Sequence, residues 1–418
     1  MMKFVAQRIV FRNGERHSVL QRVDGLPVHE VTLYLGQYRQ KGRAAETIHS
    51  VCNCLALLYR ELYTANVDLL ERLLKGQFLS TIELDRLIST ARYNLTDLEQ
   101  DSTCKKRNVI GMHHIGIQRR QKHIERQPVE SQTYASRLRY IAHYLEYTSR
   151  YVAAVLPRKE RLELLEDVAT ALKNFREHIP KGSTRAKLGA REGLSIDDQN
   201  RVLEVIDPNS PHNPWVRGFV RRRNWLIVVL LLVTGMRRGE LLGLQIGDIH
   251  PSQPKINILR RADSANDKRI RQPNTKTNDR TIELHPPIMR ELQSFLKERR
   301  GIKAARSIPQ VFTSEDGNAL SMQAVDKIFK ELRGALPGLP VTLTSHVMRH
   351  TWNERFSEQA DTMNLSEVAE QRARNSQQGW SDNSNTSATY TRRHNERKGR
   401  EISLKIQEKI HEKLSNHK

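Results

Sequence analysis

The sequence predicts two regions of different class: a mainly α N-terminal region, then an α+β, mostly helical C-terminal domain with a small β-hairpin or sheet. Three observations carry this. From Val28 to about Leu98, and again from Ser131 to Phe175, apolar residues recur at intervals of three and four, as they do along one face of a helix. The run Lys181-Gly182-Ser183-Thr184-Arg185-Ala186-Lys187-Leu188-Gly189 is small, polar and charged, the composition of a linker. Beyond it, helical runs are interrupted by short alternating stretches at 255–259 and 280–284 that read as strands.

In chain order, residues 1–25 read as an extended lead-in, with a turn signal at Asn13-Gly14 and a second apolar pass at Val19-Leu20. Residues 26–180 read as a helical core. Ile48, Val51, Leu55, Leu58 or Tyr59, and Leu62 share one helix face, and Tyr134, Leu138, Ile141 and Leu145 another. The tyrosines at 134, 140, 144, 147 and 151 lie on this second helix and read as half-buried core, as do Cys52 and Cys54 on the first. Between the two, residues 101–126 are basic and poorly periodic. The linker spans 181–192 and the C-terminal domain 193–400. Its most apolar stretch, Trp225 to Val233, is far short of the roughly 20 residues of a membrane span, so it reads as a buried helix. Pro286-Pro287 opens a further helix, Val311-Phe312-Thr313 reads as a short extended piece, and 401–418 as a terminal helix whose Ile402, Ile406, Ile410 and Leu414 form one stripe.

Composition narrows the function classes. The 418 residues carry 69 Lys and Arg against 47 Asp and Glu, a formal charge of +22, which favours a polyanionic partner, nucleic acid before membrane. With 38% hydrophobic residues in periodic runs, the chain is not a disordered one. Three cysteines with no Cys-x-x-Cys pair support neither a disulfide framework nor a structural zinc site, and fit a reducing, intracellular compartment. The start, Met1 to Arg8, lacks the apolar stretch of a signal peptide. The charge is concentrated: 101–126 has seven cations against two acids, 217–238 six cations and no acid, 255–280 eight against three, and 391–400 five against one.

Three C-terminal segments stand out. Thr234-Gly235-Met236-Arg237-Arg238-Gly239-Glu240-Leu241 follows the apolar helix, and Gly235 ends that helix so that Arg237 opens the next, with Glu240 one turn on. In Thr344-Ser345-His346-Val347-Met348-Arg349-His350, His346 and Arg349 share a helix face. The third is Gly379-Trp380, followed ten residues later by Tyr390 in a polar Ser/Asn/Thr stretch. Each alone reads as a salt-bridged turn, a capped helix or a packing tyrosine. In this order, with Lys276 in Asn274-Thr275-Lys276-Thr277-Asn278-Asp279-Arg280 between the two strand-like stretches, they resemble the tyrosine recombinase (phage integrase) family over roughly residues 190–400.

That resemblance implies a site-specific DNA recombinase whose N-terminal helical region and catalytic domain clamp duplex DNA as a C shape. Tyr390 would be the nucleophile, because a hydroxyl that stays attached to phosphorus conserves the energy of the broken phosphodiester. Arg237 and Arg349 would hold the charge of the pentavalent transition state, for which bidentate guanidinium groups are suited. Lys276 would protonate the leaving 5′ oxygen, His346 would assist proton movement, Trp380 would hydrogen-bond or pack against the phosphate, and Glu240 would orient Arg237. Neither cofactor nor metal enters. Two departures stand: Trp380 replaces the usual histidine, and the stretch from Arg349 to Trp380 is long, with 361–374 reading as an extra helical turn or loop. His350 is as readily structural as catalytic.

Lys105, Lys106, Arg107, Arg119, Arg120, Arg221, Arg222 and Arg223 are the candidate DNA contacts outside the catalytic set. The implied partners are double-stranded DNA with specific recombination sites, three further copies of the chain in a tetramer, and an accessory factor that biases direction; the C-terminal helix would either dock into a neighbouring subunit or pack on its own chain. Related chemistry would serve a type IB topoisomerase or a telomere resolvase. The alternative of another class is a catalytically inactive DNA-binding regulator on the same scaffold.

Overall fold

The computed structural model describes residues 4–94, 127–181, 193–340, 343–382, 384, 395–396 and 398–409. Tyr390 and the basic stretch with Lys105, Lys106, Arg107, Arg119 and Arg120 lie outside the described residues. The chain divides into two compact units, 1–185 and 186–418.

The first unit opens with strands β1 (Phe4–Val10) and β2 (Arg16–Arg22), paired antiparallel with Phe4 opposite Arg22 and Val10 opposite Arg16. Gly14 turns the hairpin at φ +88°, a left-handed conformation that suits a residue without Cβ. Helices α1 (His29–Gln40), α2 (Ala45–Thr64), α3 (Leu69–Leu74), α4 (Thr81–Ala91), α5 (Ser131–Ala153) and α6 (Arg158–Glu177) follow. Helix α2 carries the centre of the core: Val51, Leu55 and Leu58 are fully buried, facing Leu20 of the hairpin and Leu138, Ile141 and Leu145 of α5 in one cluster. Helix α4 starts at a capping box in which Ser80 and Glu83 satisfy each other's backbone N–H groups, a device worth about 1 kcal/mol.

The core also holds a chain of phenols. Tyr59 donates to the Glu30 carboxylate at 2.8 Å, its hydroxyl meets that of Tyr144 at 2.5 Å, and Tyr34 bonds His143 at 2.7 Å. Burial holds Tyr34, Tyr59 and Tyr144 well above the usual phenol range. Of the tyrosines along α5, Tyr134 and Tyr144 are buried, Tyr140 and Tyr147 pack at the margin of the core, and Tyr151 is exposed. Cys52 and Cys54 are buried thiols, each pushed up to about 12 by burial.

The second unit comprises α7 (Ile196–Ile206), α8 (Gly218–Thr234), α9 (Arg238–Gly243), strands β3 (Lys255–Ile258) and β4 (Arg280–Glu283), then α10 (Pro286–Arg300), α11 (Met322–Ala335), α12 (Ser345–Thr362) and α13 (Glu367–Gln378). The strands pair antiparallel with Ile256 opposite Ile282, both buried. Helix α8 is apolar around most of its circumference, Leu226 to Leu231 being buried, because it runs through the middle of the core between α12 and α10. Among the described residues no helix is long and apolar enough to cross a membrane.

Val311-Phe312-Thr313 is the short extended piece its residues suggest, bridged from Thr313 to Ala319 and bonded from the Val311 N–H to the Leu244 carbonyl at 2.9 Å, with Val311 and Phe312 buried. One local expectation changes. The long stretch before Trp380 is a separate helix, because α12 ends at Thr362 and Ser366 caps α13, accepting from the Ala369 N–H at 3.3 Å. Residues 398–409 are helical, with Ile402, Leu404 and Ile406 all more than half exposed. Ile410 and Leu414 of the predicted stripe lie outside the described residues.

Candidate active site

The site is built where α8 stops. Gly235 ends the helix at φ +62°, and a Cβ there would lie 2.7 Å from the Trp352 ring of α12. The turn leaves Arg237 at the N-cap of α9, its N–H donating to Glu240 Oε2 at 3.0 Å and its guanidinium approaching Glu240 Oε1 at 3.4 Å. The Arg237 side chain keeps 31% of its surface exposed, whereas the Glu240 side chain has none. Glu240 also accepts from Thr277 Oγ1 at 2.7 Å and Arg280 Nη2 at 2.8 Å. Burial alone would push its carboxyl up, but the charge and hydrogen bonds of Arg280, with Thr277 and the Arg237 N–H, hold it below the ordinary carboxylate value.

Lys276 stands in the connection between β3 and β4, exposed between Thr275 and Thr277, which are each 5% exposed. This connection is tied down at both ends. On one side the backbone of Gly239 in α9 approaches Asn274 so closely that a Cβ would sit 3.0 Å from its carbonyl oxygen. On the other the Asn278 N–H donates to the Gly379 carbonyl at 2.9 Å. Gly379 closes α13 at φ +64°, and a Cβ there would meet the Asn278 oxygen at 2.8 Å and Thr277 Cβ at 3.0 Å. Gly379→Ala should therefore destabilise the domain by about 1–3 kcal/mol, because strained backbone and a closed contact fall on one residue. Chemical denaturation of the variant checks this, and an unchanged midpoint would contradict it.

Helix α12 brings His346, Arg349 and His350. Arg349 is 1% exposed; its Nη1 donates to the Gly235 carbonyl at 2.6 Å and its guanidinium lies 5.1 Å from the centre of the Trp380 ring. Trp380 is 8% exposed and its backbone N–H donates to the Asn375 carbonyl at 2.8 Å. His346 is exposed, with its ring 4.7 Å from that of His350 and nearly perpendicular to it, while His350 is buried. Hydrogen bonds and a stacking contact thus connect Arg237, the Lys276 connection, Arg349 and Trp380, residues from four separated parts of the chain.

The arginine run in the first turns of α8 is placed differently from expectation. Arg223 is only 8% exposed, donating to Asn224 Oδ1 and to the Thr313 carbonyl at 3.1 Å, so it serves the core and is corrected as a DNA-contact candidate. Arg221 donates to the carbonyls of Trp215 and Pro208, and Arg222 to Glu291 at 2.9 Å and Ser294 at 2.8 Å. Consecutive helical residues point about 100° apart, so three neighbours cannot all face one surface. Arg280, which closes the Lys276 segment, is a further residue of this cluster that the spacing of the motifs does not mark. Nothing in a short alternating strand indicates that its cation meets a carboxylate 40 residues away in sequence.

Residues 210–397 match the model of the Phage integrase family. Residues 210–397, within the C-terminal unit, form a domain of the tyrosine recombinase family. Tyrosine recombinase XerD of Halalkalibacterium halodurans is 27% identical over 205 residues, 49% of this chain and 59% of that protein. The virulence plasmid integrase pGP8-D of Chlamydia trachomatis is 26% identical over 157 residues, 36% of this chain and 42% of that one. The chain thus spans about half the length of these curated relatives. Among solved structures, the Tn1549 transposon integrase in complex with circular intermediate DNA has a TM-score of 0.45 at 17% identity, covering 86% of this chain and 94% of that one. In this chain's domain, Arg237, the connection that carries Lys276, Arg349 and Trp380 are joined in one bonded cluster through Glu240, Thr277 and Gly235, and His346 stands on the same helix as Arg349.

Proposed function

We propose that this protein is a site-specific DNA recombinase that breaks and rejoins strands through a 3′-phosphotyrosyl intermediate. The observation that carries the reading is the convergence of two arginines, a lysine-bearing connection and a tryptophan on one cluster inside a tyrosine recombinase domain. In the proposed step the Tyr390 oxygen bonds to the scissile phosphorus and the bond from phosphorus to the 5′ oxygen breaks. His346 accepts the phenol proton and the Lys276 ammonium gives one to the departing oxygen. Arg237 and Arg349 neutralise the non-bridging oxygens as charge builds on them. A 5′ hydroxyl from the partner duplex then reverses the same steps. Two such exchanges in a tetramer pass through a Holliday junction, and the scheme draws on neither a nucleotide nor a metal.

The test uses duplexes selected from a randomised pool by their binding to the protein, each nicked one or two nucleotides from a candidate cleavage position. The short fragment released on cleavage diffuses away and leaves the adduct trapped. Expected are a covalent protein–DNA species and, on paired intact sites, recombinant products. Relaxation of any supercoiled plasmid without a selected site would assign the chemistry to a type IB topoisomerase instead. Binding without any adduct would leave the inactive DNA-binding regulator.

A further inference from the structure

We propose that Arg280 is a positioning residue, which fastens the Lys276 connection to Glu240 and to the end of α13 so that the lysine meets the scissile phosphate. This rests on the recombinase reading above.

The Arg280 side chain is only 6% exposed, and it spends three of its donors on three parts of the chain. Nε donates to the Gln377 carbonyl at 2.7 Å, Nη1 to Thr277 Oγ1 at 3.1 Å and Nη2 to Glu240 Oε2 at 2.8 Å. Gln377 lies in the last turn of α13, where backbone carbonyls lack helical partners and favour a cation. Glu240 in turn holds Arg237, and Thr277 is the residue after Lys276. One planar guanidinium therefore links the Arg237 turn, the lysine-bearing connection and the turn that delivers Trp380. A lysine offers a compact ammonium and cannot reproduce the spread of this fork. Lys276 is exposed and carried by a connection of irregular backbone, so its position depends on such fastenings.

The test compares wild type, Arg280→Ala, Arg280→Lys and Lys276→Ala on nicked duplexes of the selected kind. Each duplex is made with either oxygen or sulfur bridging phosphorus to the 5′ carbon. A thiolate leaves without protonation, so the sulfur substrate removes the need for a general acid. Arg280→Ala is expected to slow adduct formation on the oxygen substrate by about 100-fold, the effect of a displacement of about 1 Å, and to approach wild type on the sulfur substrate. Lys276→Ala should show the same contrast and Arg280→Lys an intermediate one. With its cationic partner removed, the Glu240 carboxyl should protonate at higher pH, moving the acid limb of the Arg280→Ala rate profile upward.

An equal deficit on both substrates, in a variant that melts as a folded protein, would overturn the inference, as would no deficit on either. If Arg280→Ala does not fold, the sulfur and oxygen rates of Arg280→Lys decide in the same way. Absence of adduct from wild type on both substrates is a separate result, which removes the recombinase reading itself.

Discussion

Tyr390→Phe should form no covalent adduct on nicked duplex DNA while binding the same duplex as tightly as wild type. The substitution deletes one oxygen from a side chain proposed as the nucleophile. Arg237, Lys276, His346 and Arg349 remain to hold the phosphate, and the bonds of Arg237 and Thr277 to Glu240 and of Arg349 to the Gly235 carbonyl are made by groups the substitution leaves in place. Because no other group in the scheme can stay attached to phosphorus, the loss should be at least about a thousandfold, larger than for removal of any group that only stabilises charge. Denaturing electrophoresis of labelled duplex after incubation measures the adduct, and a mobility shift measures binding. Adduct formation by the Phe variant would show that another residue attacks.

Glu240→Ala should cause the largest loss of stability in the domain. The carboxylate has no exposed side-chain surface and accepts from Arg237, Thr277 and Arg280 at once. Removing it leaves the 6% exposed Arg280 guanidinium without its counter-charge. Breaking a buried pair in this way costs about 3–5 kcal/mol, far more than the pair would contribute relative to apolar replacements. Glu240→Gln keeps the shape and one acceptor but not the charge, and should fall between the two.

The carboxyl also sets a pH dependence. Its folded-state value lies below the ordinary one near 4.5, so its stabilisation is fully present above that value and is lost as pH falls through the lower folded value. Wild type should lose stability on this acid side more steeply than Glu240→Gln. Urea midpoints at neutral pH and in an acid series test both points, and a Glu240→Ala midpoint equal to wild type would exclude the proposed network.

Periodicity and glycine placement made much of the fold legible. The spacing of Ile48, Val51, Leu55 and Leu62 marked the buried face of α2, and all four are buried. Trp225 to Val233 was recognisable as an interior helix because apolar side chains leave it no polar face to set against water, and Gly235 as its end because the left-handed turn there suits a residue without Cβ. Alternation at 255–259 and 280–284 marked the strands that pair as β3 and β4. At Val311 and Phe312 the residues indicated an extended piece but not whether it joins a sheet, because burial and strand propensity select the same side chains and a ladder depends on the segments it meets, here Leu244 and Leu320.

By itself, the sequence determined the order of the helices and strands, the concentration of cationic charge, and the family of the C-terminal unit through the arrangement of its motifs. Tertiary structure decided which cations serve the fold and which remain at the surface. Arg223 and Arg280 are drawn inward to oxygens on distant segments, while Lys276 is exposed and Arg237 keeps about a third of its side chain in solvent. The reason is physical: periodicity records where apolar surface must be buried, a property of neighbouring residues. The role of a charged side chain is set by the carboxylate or carbonyl it meets, and only the folded chain brings that group within about 3 Å.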